Sequence, residues 1–514
     1  MTFPPADNRR HKLRQLERVY HNTPDPYGLL AAKMESLQLR IPPQAVLPPE
    51  LLADIFKLCT DFPDPTALPP KQDDLILTLT HVCASWRHIV LSLTELWSAI
   101  AINITTTRCD LIGEVATLSR SWLSRAGSNT ISLTVECSRE LAVAANSDPT
   151  LMSALSALMD CVVLQNTRRT RFLELRFPEP CVSTLFDVPE GSFSELQSFE
   201  LSPYIFMHDM ENENVDAKWK WRGSAPGFAS ASRLFHAAFT PAWPSLSDLM
   251  DNLGEETIGP IFNDNGGVGN GTASAFRATD VVLPWRNLRS LEFMFTMCPF
   301  DIWLNALSQC PLLERCLIGV SPGPLPVSPI QIRLENLDYI YIMSAEGGGD
   351  ILLSSLVTPN LRSCSLQGHI SVRSLFDFQR RSGFELIVLV TLLNIPTNDV
   401  YPLLEAFPTL VFLGFVMATT EHYPEDVWSR IARREVLPNL LYLIITPRVS
   451  QISALADAIA QNWELAEQAP ESERSPLKVW FLAVPPRDVA LLKEGLEPLE
   501  RFAALNMQVE FRDI

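Results

Sequence analysis

One pattern constrains this chain more than any other: apolar-x-x-apolar-x-apolar, returning at an interval near 24 residues. It occurs at Phe172-Leu175-Phe177, Leu196-Phe199-Leu201, Leu288-Leu291-Phe293, Leu313-Cys316-Ile318, Leu337-Ile340-Ile342, Leu361-Cys364-Leu366, Ile387-Val390-Leu392, Leu410-Leu413-Phe415, Leu440-Leu443-Ile445 and Leu477-Trp480-Leu482. The starts at 288, 313, 337, 361, 387 and 410 are spaced by 25, 24, 24, 26 and 23 residues, and the step from 172 to 196 is again 24. The last two positions of each copy alternate as in a strand, whereas the intervals carry apolar residues at helical spacing. Examples are Ile302, Leu304 and Leu307; Val400, Leu403, Leu404 and Phe407; Val427, Ile431 and Val436; and Ile452, Leu455, Ile459 and Trp463. A unit this short cannot bury its own apolar face, so copies must stack on one another.

The pattern and its period resemble the leucine-rich repeat. That resemblance implies an α/β fold, an irregular leucine-rich-repeat-like solenoid with parallel strands on the concave face and helices outside. A weaker copy at Leu234-Ala237-Phe239 lies between insertions expected near 207–230 and 251–280. The second insertion includes Asn265 to Gly271, whose glycines lack the Lys-Ser/Thr pair of a phosphate-cradling loop. Intervals of 30 and 37 residues after position 410 imply longer outer helices, and Val479–Val484 with Met507–Phe511 are expected as closing strands. Arg289, Glu292, Arg362, Ser365 and Tyr442 fall on the expected concave face.

The N-terminal hundred residues follow a different rule. Leu13, Leu16, Val19 and Tyr20, then Leu29, Leu30, Met34 and Leu37, predict two short helices separated by Pro24-Asp25-Pro26. Leu47-Pro48-Pro49-Glu50 starts a further helix, with proline in its first turn and a carboxylate near its positive end. Leu51, Leu52, Ile55, Phe56 and Cys59 form one broad stripe on it. A proline-rich loop follows from Asp61 to Pro70, and Asp73-Asp74 is expected to cap one continuous helix carrying Leu75, Leu79, Val82, Cys83, Trp86, Ile89 and Val90. Leu93, Leu96 and Trp97 make a third short turn, after which Ile100, Ile102 and Ile104 alternate as a strand where the repeats are expected to begin.

Leu47-Pro-Pro-Glu-Leu-Leu-Ala-Asp-Ile-Phe56, Val82-Cys83 with Trp86-Arg87, and Leu96-Trp97 resemble the F-box. Leu96 to Ile100, and the Trp122-Leu123-x-x-Ala126-Gly127-Ser128 stretch before a strand at Ile131–Val135, are similar to F-box proteins of mushroom-forming fungi. The resemblance implies a helical lead-in over 1–43, a three-helix F-box over 44–98 and the solenoid over 99–514, joined as one continuous body. It further implies a substrate-recognition subunit of a Skp–cullin–F-box ubiquitin ligase. Leu47, Pro48, Leu51, Leu52, Ile55, Phe56, Val82, Cys83, Trp86, Leu96 and Trp97 would supply the contact with a Skp-type adaptor and the layer beneath it. A cullin would be reached through the adaptor, and an undefined target would bind the repeats. The loop from Asp61 to Asp74 is longer than in a minimal F-box. The alternatives are a non-ligase interaction scaffold, whose F-box-like segment only ends the array, and an enzyme with a pocket in the 251–280 insertion.

Charge and composition narrow the remaining classes. A formal net charge of -18 disfavours non-specific nucleic-acid binding, which needs a surplus of Lys and Arg. The basic run Arg9-Arg10-His11-Lys12 with Arg14 is the best localisation signal, and otherwise starts a solvated helix. No run of 18 apolar residues and no secretory core at Met1–Arg10 are found, so a cytoplasmic or nuclear chain without membrane contact is expected. The ten cysteines are scattered without C-x-x-C pairs, as expected of buried reduced thiols. His81, Cys83 and His88 are the nearest approach to a metal set, but two helical turns, about 10 Å, separate the histidines. No metal, cofactor or catalytic residue is therefore expected.

Overall fold

The computed structural model describes residues 47–60, 65–71, 74–204, 225–240, 283–325, 330–345, 347–393, 395–415, 423–424, 426–445, 452–468 and 478–481. The expected lead-in helices, the basic run, the 251–280 insertion and the Met507–Phe511 strand lie outside these residues. The chain divides into two compact units. One takes Met1–Asp64 and Gln72–Leu96, the other Pro65–Lys71 and Trp97–Ile514.

The first unit contains α1 (Pro49–Thr60), α2 (Leu75–Val82), α3 (Ala84–Ser92) and a 3-10 turn at Thr94–Trp97 whose last residue belongs to the second unit. Asp74 caps α2, its carboxylate accepting from the Leu77 amide at 3.1 Å, as the acidic pair before this helix predicts. The single helix expected through Val90 is instead broken at Cys83, whose backbone is extended (φ -162°, ψ 168°). The Cys83 thiol then caps α3 by accepting from the Trp86 amide at 3.4 Å. The Arg87 guanidinium spans the break, donating to the Thr80 carbonyl at 2.8 Å. This break changes which residues face inward: Ile76 is buried and Leu75 exposed, the reverse of the continuous-helix expectation.

The second unit is built on one parallel sheet. Its strands are β1 (Thr66–Leu68), β2 (Ala99–Ile104), β3 (Ile131–Cys137), β4 (Thr170–Pro178), β5 (Ser198–Tyr204), β6 (His236–Phe239), β7 (Ser290–Pro299) and β8 (Arg315–Ser321). After β9 (Ile332–Arg333) come β10 (Tyr339–Ser344), β11 (Leu356–Val357), β12 (Ser363–Gly368), β13 (Val388–Leu393), β14 (Phe412–Phe415), β15 (Tyr442–Ile445) and β16 (Lys478–Phe481). Each strand pairs in parallel with the next in sequence, except that β9 and β11 leave the order and pair with each other. Parallel neighbours require a crossover, and helices such as Pro149–Val162, Phe300–Ser308, Thr397–Ala406 and Ile452–Gln468 supply it. The architecture is a mixed α/β array with a long parallel sheet, consistent with a leucine-rich-repeat-like solenoid.

Register explains the 24-residue period. Ile100, Leu133, Leu173, Phe199, Ala237, Leu291, Cys316, Ile340, Cys364, Leu389, Leu413 and Leu443 share one row, and every one of them is buried. In two copies the strand register lies one residue before the apolar pattern of the sequence. The buried frame in β13 is Leu386, Leu389, Thr391 and Leu393, and Val390 lies on the other face. In β16 it is Val479 and Phe481, not Trp480, that align with Leu443 and Ile445. The sheet also starts one strand before Ile100: Thr66–Leu68, inside the expected proline-rich loop, pairs with Ile100–Ile102.

Polar side chains tie successive repeats. Asn287, Asn336, Asn360 and Asn439 each donate to a carbonyl of the preceding copy, at Ser232 (2.7 Å), Pro311 (3.1 Å), Glu335 (2.8 Å) and Pro408 (3.3 Å). Each of these asparagines directly precedes the first leucine of its repeat. The guanidinium of Arg169 donates to the Leu123 carbonyl (3.1 Å) and the Gly127 carbonyl (2.6 Å), closing the C-terminal end of helix Cys109–Arg125. Gly368, at φ +89°, lies so close to the Ser344 carbonyl that a Cβ would meet it at 2.1 Å. Seven cysteines are buried, two are half-buried and Cys59 is exposed, all as free thiols. Burial alone pushes the Cys310 thiol up to about 12.

Candidate functional site

Helix α1 carries two apolar stripes instead of one. Leu52 and Phe56 are buried, and the Phe56 ring meets Trp86 edge-on at 4.8 Å, which fixes α1 against α3. Leu51, Ile55 and Leu58, spaced i, i+4 and i+7 on the adjacent face, are 49%, 42% and 67% exposed. Lys57 and Glu95 pair at 3.0 Å within the same unit, and that pairing helps hold the Glu95 carboxyl below its usual range after its own backbone hydrogen bond. Covering each half-exposed leucine would remove on the order of 50 Å² of apolar surface, about 1 kcal/mol per residue.

The expected adaptor residues therefore separate into classes. Pro48, Leu51, Ile55 and Val82 are exposed, Leu47, Cys83 and Trp86 half-buried, and Leu52, Phe56 and Leu96 buried. Trp97 belongs to the second unit, buried edge-on against Trp122 at 4.6 Å with the Arg125 guanidinium 4.8 Å over its ring. Its side chain has no free face to offer a partner. The Trp86 indole N–H is buried and makes no hydrogen bond among the described residues. Sequence reasoning missed three exposed residues of this unit, Leu58, Leu75 and Leu91. Leu58 was detectable as the next step of the Leu51–Ile55 stripe.

On the second unit, the strand face opposite the buried rows is the other open surface. Glu292, Ser365 and Tyr442 lie on it as expected, although Ser365 is buried by its neighbours. Arg289 and Arg362 do not. Each precedes its strand by one residue, where Arg289 pairs with Glu314 at 2.7 Å and Arg362 approaches Asp338 at 3.8 Å. Sequence reasoning also missed Glu174 and Glu200, which share a row with Glu292. Their signal was a recurring apolar-Glu-apolar triplet: Leu173-Glu174-Leu175, Phe199-Glu200-Leu201 and Leu291-Glu292-Phe293.

Among the described residues, no group of three His, Cys, Asp or Glu side chains could hold a metal ion. His81 and His88 are both exposed, with Cys83 half-buried between them in sequence. Among the same residues, no helix is long and apolar enough to cross a membrane.

The fold defines a class, a parallel α/β repeat array with a separate small helical unit. No family model matches the sequence, and no curated protein matches it. A leucine-rich-repeat protein of Leptospira interrogans is a structural neighbour at 13% identity, covering 68% of this chain and 97% of its own, with a TM-score of 0.22. At that score the repeat assignment rests on the strand register described above and draws nothing from the neighbour.

Proposed function

We propose that this chain is a non-catalytic, substrate-recognition subunit of a Skp–cullin–F-box ubiquitin ligase. The helical unit docks on a Skp-type adaptor, and the repeat array holds a target protein. The observation that carries this reading is the open stripe of Leu51, Ile55 and Leu58 beside the buried pair Leu52 and Phe56. A helix that served only to close a core would expose its polar residues there, whereas an apolar stripe half open to solvent suits a partner. The Leu-Pro-x-Glu, Val-Cys-x-x-Trp and Leu-Trp motifs supply the rest of the argument.

The test is co-purification of the full chain with a Skp-type adaptor, comparing the parent with Leu51→Glu/Ile55→Glu. Both substituted residues are exposed, so the variant is expected to fold and to lose adaptor capture at least tenfold. Trp86 is a poorer probe because it packs on Phe56. Capture at the parental level by the folded variant would remove this interface. Capture without subsequent cullin recruitment would leave only a scaffold.

A further inference from the structure

The side of the sheet opposite the buried rows changes character along its length, with Ala238, Leu317, Ser365 and Gly414 buried between more open side chains. From β3 to β7 it presents Thr134, Glu174, Glu200, Ala238 and Glu292 in one row, with Glu136 one step along β3. From β8 onward the same row continues as Leu317, Tyr341, Ser365, Val390, Gly414 and Ile444, flanked by Tyr339 and Val388. Tyr339, Tyr341, Val388, Val390 and Ile444 are each half-buried.

The acidic end is under-compensated. Glu174 and Glu200 are direct cross-strand neighbours, a like-charge placement that costs stability. Glu174 accepts from the Thr134 hydroxyl (3.1 Å), and Glu292 from the Ser290 hydroxyl (3.1 Å). Two arginines approach this face: Arg176 lies 3.8 Å from Glu136 and Arg315 lies 3.8 Å from Glu292. Glu200 makes no hydrogen bond or ion pair among the described residues, and its carboxyl is pushed up by burial first, then by Glu174 and Glu292, against the opposing pull of Arg176. His236, beside this row, is held toward its neutral form by burial, against the opposing pull of Glu292, and adds little positive charge.

We propose that this face binds a protein segment that sets a lysine or arginine against Glu174 and Glu200 and an aromatic or aliphatic side chain against Tyr341 and Val390. The cation relieves the like-charge pair, and the apolar residue covers the half-open side chains beyond β8. Glu200 and Tyr341 are four strand steps apart, roughly 19 Å at about 4.8 Å per step, which an extended chain crosses in about six residues. This inference rests on the reading that the repeats hold a target and defines that target's chemistry.

The experiment selects binders to the full chain from a library of random peptides long enough to span that distance. The best peptide is then measured by fluorescence polarisation against the parent, Glu174→Gln/Glu200→Gln and Tyr341→Ser/Val390→Ser. Selected peptides are expected to pair Lys or Arg with an apolar residue about six positions away, with affinity falling at least tenfold in each double variant and weakening as salt rises. The proposal is overturned by binders without basic enrichment, by unchanged affinity in the glutamine variant, or by an empty selection. Calcium binding at the acidic row, or self-association through the face, overturns it equally if no peptide is selected. Adaptor capture is measured on the same samples. Its loss with peptide binding intact removes the ligase reading and not this one, and the converse removes only this one.

Discussion

The two units treat apolar surface in opposite ways. Six of the exposed large hydrophobic residues, Leu51, Ile55, Leu58, Leu75, Val82 and Leu91, fall in the two short stretches 47–60 and 74–96. Among the described residues the far longer repeat unit adds seven, among them Val143, Leu312 and Leu325, and buries the apolar rows of its strands one after another. A repeat solves its burial problem with the next copy, so its apolar residues are used up internally. A small helical unit has little interior to offer, and an apolar stripe left outside it is available for a partner. The contrast teaches that solvent exposure in this chain marks the helical unit as the stickier part, although the array is much richer in leucine.

The largest expected effect lies on the sealed side. Trp303 is buried and donates its indole N–H to the Gly319 carbonyl at 2.8 Å, so Trp303→Ala should lower unfolding free energy by about 3–5 kcal/mol in denaturant titration. An effect below ~1 kcal/mol would break the picture of a closed repeat interior. Asp74→Ala removes the cap of α2 and should cost about 1 kcal/mol, seen as earlier loss of helical signal from the first unit. Leu58→Ser should move stability by less than ~0.5 kcal/mol while weakening adaptor capture, which is the sharpest form of the comparison.

The smallest effect concerns pH. The Glu200 carboxyl titrates above its unfolded value, so the folded state disfavours its charged form. Its contribution is fully present below the ordinary glutamate range and is lost as pH rises through the raised value. Glu200→Gln should therefore be slightly more stable than the parent at neutral pH, with the gap closing near pH 4 in thermal melts. A constant gap across that range would mean that Glu200 acts through packing and not through charge.

Much of the repeat unit was legible because burial on one strand face demands a period of two, and stacking demands a period near 24. The pattern misleads where a buried place is filled by an atypical residue. Thr391, wholly buried, hid the frame of β13 and drew the pattern to Ile387 and Val390. Helix Gly348–Ser355 was hidden because it opens on glycines, whereas Val372–Ser382 carried a legible signal in Val372, Leu375 and Phe378 at helical spacing. In the first unit, the stripe through Leu75 and Val90 fitted a single helix so well that the break at Cys83 was invisible; a thiol acting as a cap leaves no mark in hydropathy. Which of the α1 stripes faced outward was likewise unreadable, since Leu51 and Leu52 are identical side chains and only tertiary contacts distinguish them.

The three residues of β1 have a consequence for anyone dividing this protein. The chain departs from the helical unit after α1, lays Thr66–Leu68 beside Ile100–Ile102, and then returns to build α2 and α3. A fragment starting at Trp97 would surrender that strand and bare the backbone groups of β2, an invitation to join edge to edge with another molecule. Within the full chain the edge position falls to a strand only three residues long, with Pro65 before it and Pro69-Pro70 after it, features that discourage further pairing. No single cut yields both units whole, and the shortest stretch of chain that keeps the sheet's first edge blunted must keep α2 and α3, which follow β1, as well.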